Sequence, residues 1–144
     1  MNQTIELLTE VYKNAELTKE LLGKLVKCNH DSEFKRIMAD QSAEYHDIML
    51  EAQRQFASCG QAQAPKGYSA AERAGAHWPI ILHGYVANNV SHLAEALIHE
   101  TTIRLIDICR AVRSCPEANE YATELAHRLR ITEENNLRQT LRHV

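Results

Sequence analysis

Residues 88–112, NNVSHLAEALIHETTIRLIDICRAV, limit the possible folds more than any other stretch of the chain. Leu93, Leu97, Ile98, Ile103, Leu105, Ile106, Ile108 and Val112 point to nearly every side of a helix drawn over them. A helix apolar around most of its girth must be covered on most of it, so other elements have to enclose this one. The same stretch carries His92, Glu95 and His99. Steps of three and four residues bring all of them to one face. A carboxylate between two imidazoles on a greasy helix reads as a polar layer in a helical core or as part of a metal site.

The rest of the chain supplies the covering helices. Only 5 Gly and 3 Pro are present, and apolar residues recur at helical rather than alternating spacing. A first helix is predicted over residues 2–27, with Ile5, Leu8, Val11, Tyr12, Ala15, Leu22, Leu25 and Val26 as its stripe. Asp31 or Ser32 caps a second over residues 32–58, by accepting from its first free N–H groups. Its stripe is Phe34, Ile37, Met38, Tyr45, Ile48, Met49, Ala52 and Phe56, interrupted by Gln41 and edged by Glu44. Buried polar groups of this kind need partners.

Residues 59–68 read as a linker, and Ser69 can cap a helical crossover over residues 69–87. His77-Trp78-Pro79 is expected to break that crossover into two pieces, because Pro79 has no N–H for the preceding turn. Asn89 caps the apolar helix, predicted over residues 89–113. Ser114-Cys115-Pro116 reads as a turn, with Pro116 in the first turn of a last helix over residues 117–142. That helix shows Tyr121, Ala122, Leu125, Ala126, Leu129, Leu137 and Leu141 in its stripe, with Glu133 among them. Two helical hairpins joined by one longer connection make an all-α, single-domain four-helix bundle with an added crossover segment. The sequence leaves open whether the second and third long helices run parallel or antiparallel.

A chain of 144 residues suits one domain with one core. The net charge is -3. Arg128, Arg130, Arg138 and Arg142 are interleaved with Glu124, Glu133 and Glu134, which reads as a solvated face rather than a nucleic-acid footprint. No apolar run approaches the roughly 20 residues needed to span a bilayer. The start MNQTIELLTEVYKN has neither the basic head nor the apolar core of a signal peptide. A soluble, cytoplasmic protein is the expectation. Cys28, Cys59, Cys109 and Cys115 show no CxxC spacing and read as reduced thiols, with Cys109 in the core. No Gly-rich strand-to-helix loop and no nucleophile–base constellation stands out.

Hairpin arithmetic places the acidic side chains. Glu16 and Glu44 each lie about 14 residues from a turn near residues 29–30, at ~1.5 Å rise per residue. Glu95 and Glu134 each lie about 20 residues from a turn near residues 114–115. The expectation is one shared carboxylate layer. The segments NAEL (14–17), QSAEYH (41–46), SHLAEALI (91–98) and TEENN (132–136) resemble the ferritin-like superfamily, and within it small uncharacterised bacterial bundle proteins. The resemblance implies a di-metal centre with a Glu from each of two helices and Glu-x-x-His from each of the others. On that pattern Glu16 and Glu95 are the lone carboxylates. The second helix reads Gln41-x-x-Glu44 or Glu44-x-His46, and the last reads Glu133-x-x-Asn136. Glu-x-x-His itself occurs at Glu124 to His127, two turns away.

Two functions follow. One is a non-catalytic bundle with a structural or interaction role, whose carboxylate and amide layer, with Gln41 and Asn136, fixes register. The other is a non-haem metal protein holding iron, manganese or zinc for redox or metal-holding activity. Its ligands would be Glu16, Glu44, Glu95 and Glu133 or Glu134, with His92 or His99 as imidazole donors. A homo-oligomer, a dimer first, is the expected assembly. Arg104 and Asp107 are placed to pair across to other helices, or with the Glu carboxylates where no metal occupies the layer. His46, His77, His83, His127 and His143 read as surface histidines, and Trp78 and Tyr85 as packing residues at the bundle end or a subunit contact.

Overall fold

A computed structural model describes residues 2–87 and 89–144, with the backbone alone for residues 82–87. Five helices follow in order: α1 (Gln3–Cys28), α2 (Ser32–Ser58), α3 (Ala70–Ala87), α4 (Val90–Ser114) and α5 (Glu120–Leu141). The described residues form no strand. Side-chain oxygens start each helix by accepting from otherwise unpaired N–H groups. Asn2 Oδ1 accepts from Thr4 N at 2.9 Å, Asp31 Oδ1 from Phe34 N at 2.8 Å, and Asn89 Oδ1 from Ser91 N at 2.8 Å. Ser69 and Glu72 form a reciprocal box at α3: Ser69 Oγ accepts from Glu72 N at 3.2 Å, and Ser69 N donates to Glu72 Oε1 at 3.1 Å.

Two predicted boundaries are corrected. α3 runs unbroken through Pro79, with the buried His77 and Ile80 side chains holding the helix down on either side of it. α5 starts at Glu120, so Pro116 lies in the turn before the helix and not in its first turn. Asn119 is the cap: its Oδ1 accepts from Ala122 N at 2.8 Å, and its own N–H donates to Thr4 Oγ1 at 2.8 Å. That second bond ties the start of α5 to the start of α1.

The directions of the long helices follow from their contacts. Ser42 Oγ donates to the Lys19 carbonyl, so α1 and α2 are antiparallel neighbours. Asn14 meets Arg104, and Glu6 and Glu10 lie by Cys115, so α1 and α4 are antiparallel. α5 starts beside the start of α1 and runs with it. The second and third long helices, α2 and α4, therefore point the same way, joined by the crossover that carries α3. α3 packs on α1 and α4.

The core is continuous across the long helices. Leu7, Leu22, Phe34, Met38, Ile48, Leu97, Ile108 and Leu129 have at most 1 % of their surface exposed. Each such burial contributes about 1.5–3 kcal/mol. Gly60 ends the α2 turn at φ 83°, a backbone region that glycine enters without steric cost. α4 is not enclosed all round as its composition suggested, since Ile103 and Ile106 are nearly half exposed. Tyr121 and Leu141, assigned to the α5 stripe, are exposed too, and Cys109 is only half-buried. His77 is buried at 1 % exposure rather than on the surface. The expectations for the side chains of His83 and Tyr85, and for Asn88, lie outside the described residues. No helix among the described residues is long and apolar enough to cross a membrane.

Candidate functional site

The carboxylates expected to share a layer do not meet. Glu44 is exposed, and its carboxyl is raised by partial burial and by Asp40, against the pull of Arg128. Glu95 and His99 both face solvent, with Nε2 to Oε1 at 4.0 Å. His92 is exposed one turn before Glu95. Glu134 turns outward and accepts from Arg130 Nη1 at 2.8 Å. Glu16 is half-buried at the side of α1, where it accepts from Tyr12 Oη at 2.6 Å and lies 3.8 Å from Arg73 Nη1. Among the described residues no three His, Cys, Asp or Glu side chains converge as a cation-holding group. Heights were legible and rotations were not. Glu16 and Glu44 are level across the α1–α2 hairpin, but each points away from the axis.

Among the nominated metal ligands Glu133 alone is in the core, with 0 % exposure. Around it stand Asn14 of α1, Tyr45 of α2, Arg104 of α4 and Asn136 of α5, so every long helix contributes to this layer. Asn14 Nδ2 donates to the Arg104 carbonyl at 2.9 Å. Asn14 Oδ1, Tyr45 Oη, Asn136 Nδ2 and both Glu133 oxygens have no protein partner within hydrogen-bond geometry. Burial pushes the Glu133 carboxyl well above its ordinary range, Arg104 and Asn14 oppose the rise, and Asp107 adds to it. Tyr45 is raised for the same first reason, with the charge of Glu133 adding and the Asn136 amide opposing.

A protonated Glu133 fits this inventory better than an ionised one. The neutral acid offers one O–H donor and a carbonyl acceptor. Asn14 Oδ1 lacks a donor, while Tyr45 Oη and Asn136 Nδ2 lack an acceptor. An ionised carboxylate could answer only the latter two. The Arg104 guanidinium has its direct contacts with residues other than Glu133. It lies 3.4 Å from Glu100 and from Asp107, and Nη1 donates to Tyr68 Oη at 3.2 Å. Arg104 was expected to pair across to other helices or with the layer's carboxylates; its carboxylate partners, Glu100 and Asp107, instead lie on its own helix.

Asn14 and Tyr45 were not among the nominated residues. The signal for Asn14 was present: Leu7, Val11, Asn14 and Thr18 are spaced as one buried face, and all four are buried. Tyr45 was read as core without regard to its hydroxyl. Gln41, nominated as a layer member, is buried one turn away, where Nε2 donates to Gln139 Oε1 at 3.0 Å and to Thr140 Oγ1 at 3.4 Å. It belongs to a second polar contact between α2 and α5.

A cleft between α1 and α3 is one of several concave features among the described residues. Glu20, Lys24, Ala70, Arg73, Ala74, His77, Trp78 and Ile81 line a volume of about 400 Å³. No family model matches the chain, and no curated protein or solved structure matches it.

Proposed function

We propose that the chain is a non-catalytic, ferritin-like helical bundle with a structural or interaction role. The up-down-down-up course of its long helices, with one long crossover, supports that topology. The carrying observation is the setting of Glu133: a carboxyl with no exposed surface, ringed by amides and a phenol. A group so enclosed meets no substrate from solvent. Its unlike partners on different helices penalise any slip in register, which is the best-attested use of a buried polar layer.

The interaction partner in this reading is a second copy. The outward stripe of α4 runs His92, Glu95, His99, Ile103, Ile106, Arg110, Arg113. Turning α4 on itself about a two-fold axis between Ile103 and Ile106 sets each isoleucine against the other of the second copy. The same operation brings Glu95 level with Arg113 of that copy. An isologous contact needs this self-complementarity. Sedimentation velocity and metal analysis on one untagged, chelator-free sample test the proposal. A concentration-dependent dimer, lost in the Ile103→Glu, Ile106→Glu double variant, with metal far below one equivalent, is expected. Stoichiometric iron, manganese or zinc overturns the non-catalytic reading, and a monomer at all concentrations overturns the self-association.

A further inference from the structure

We infer that the core layer around Glu133 binds an internal water molecule, which bridges Asn14 of α1, Tyr45 of α2, and Glu133 and Asn136 of α5. The inference rests on the geometry of the layer and holds whether or not the chain self-associates.

The layer has more hydrogen-bonding atoms than hydrogen bonds. Asn14, Tyr45, Glu133 and Asn136 each leave at most 4 % of their surface exposed. Asn14 Oδ1, Tyr45 Oη, both Glu133 oxygens and Asn136 Nδ2 are shut off from solvent and have no protein partner among the described residues. Asn14 stands close enough to Glu133, and Asn136 to Tyr45, to act on their ionisation. Neither contact reaches hydrogen-bond geometry. Buried polar atoms are nearly always satisfied, and a near contact that falls short of bonding is where a bridging water belongs. Asn14 cannot serve the layer with its amide nitrogen instead, because Nδ2 is engaged by the Arg104 carbonyl at 2.9 Å.

The orphaned atoms define the ligand. Asn14 Oδ1 only accepts and Asn136 Nδ2 only donates, while Tyr45 Oη and a neutral Glu133 carboxyl do both. A bare cation cannot accept from Asn136 Nδ2. A fully ionised anion cannot donate to Asn14 Oδ1. Water does both from a single oxygen. A buried water makes about three hydrogen bonds as a rule. One from Asn136 Nδ2, one to Asn14 Oδ1 and one to a Glu133 oxygen reach that number, and they join α1 to α5 through a group that belongs to neither.

The water also has a way in. Asn136 lines an open surface cleft together with Glu44, Asn135, Arg138, Gln139 and Arg142. The same residue therefore stands between solvent and the layer. A swing of its side chain lets water exchange without unfolding of the bundle.

The test detects water itself, on the full chain. Nuclear Overhauser effects from water to the side-chain amide protons of Asn14 and Asn136 are expected, with the sign of a long-lived bound molecule. The Tyr45 phenol and the Glu133 acid exchange protons with solvent and can relay the same signal. The measurement is therefore repeated on the Tyr45→Phe, Glu133→Gln double variant, which has neither group and keeps a donor and an acceptor at residue 133. Retained signals are expected. Absence of both signals in the wild type, or their loss in a folded double variant, overturns the inference. Oxygen-17 relaxation dispersion on the wild type is blind to protein hydroxyls and decides the matter where the double variant does not fold. At least one long-lived water is expected, and no dispersion overturns the inference. Neither readout involves subunit mass or metal content, so failure here leaves the bundle's proposed role standing.

Discussion

Replacing Glu133 by glutamine tests the central layer most directly, because the amide copies the shape and hydrogen-bonding sense of the neutral acid but cannot ionise. Burial raises the Glu133 carboxyl well above its ordinary 4.5, so between 4.5 and the raised value the folded chain keeps a proton that the unfolded chain has released. The folded state then binds more protons, and stability falls as pH rises, by about 1.4 kcal/mol per unit. This contribution is fully present below 4.5 and is lost as pH rises through the folded value. Inside that window the wild type should lose stability relative to Glu133→Gln, which has no such pH dependence, at the same rate per unit. At ~3 °C per kcal/mol for a domain of this size, the two melting curves should separate by roughly 4 °C per pH unit inside that window. Thermal melts at half-unit steps from pH 4 to pH 8 measure it, with Glu133→Leu as a control. Leucine removes the ionisation too, but takes away the one polar side chain that can answer Asn14 Oδ1, Tyr45 Oη and Asn136 Nδ2, at about 1–3 kcal/mol for each unsatisfied group. Its curve should lie below that of glutamine by an amount independent of pH. If wild type and Glu133→Gln stay parallel from pH 4 to pH 8, Glu133 is not a buried neutral acid and the reasoning fails.

Other perturbations report on separate parts of the molecule. His77 is lowered by burial, against the pull of the Leu17 carbonyl, so the unfolded chain takes up a proton there first as pH falls below 6.5. Stability from this site is therefore lost on the acid side, and His77→Gln should flatten that limb of the melting profile. Tyr12 is pushed up to about 12 by burial, with Glu16 adding, so its phenol should titrate above the ordinary range when absorbance is followed at high pH. Glu16→Gln should bring it down. So should Gly67→Ala, whose added methyl would collide with the Glu16 carboxylate. Pro79→Ala restores an N–H inside a continuous α3 and should stabilise the protein by about 1–3 kcal/mol; no gain in urea denaturation would mean that the helix is broken there. Ser69→Ala removes the capping box and should cost about 1 kcal/mol, seen as faster amide exchange across the first turn of α3.

The helices were legible because their signals are local. Stripes at 3.6-residue spacing and single capping side chains at Asp31, Ser69 and Asn89 are properties of a few neighbouring residues, and boundaries drawn from them agree with the structure to within about three residues. The misses came where a distant contact outweighed a local preference. Pro79 should end a helix, yet His77 is locked under α1 through Leu17 and Lys24, and Ile80 is buried beside it. Those contacts hold both halves of α3 in line across the missing hydrogen bond. The start of α5 shifted because Asn119 is fixed by Thr4 at the far end of the sequence.

The site was half legible for a geometric reason. Counting residues from a hairpin turn gives height, and height was right for α1 and α2: Asn14 and Tyr45 stand within a turn of Glu16 and Glu44. Counting says nothing about rotation, and adjacent helical positions differ by about 100°. Tyr45 enters the core and its neighbour Glu44 does not; Glu133 enters and Glu134 does not. The stripe decides between such neighbours, because the apolar residues a turn above and below must share the buried face. Ile48 and Met49 fix Tyr45, and Leu129 fixes Glu133. On α4 the stripe could not arbitrate, because isoleucines on all sides made inward and outward faces look alike. His92, Glu95 and His99 were drawn inward on that ambiguity, whereas Ile103 and Ile106 lie on the same outward face as they do. That face is apolar at its middle and charged at its ends, so the feature that misled the count is the one on which the proposed self-association rests.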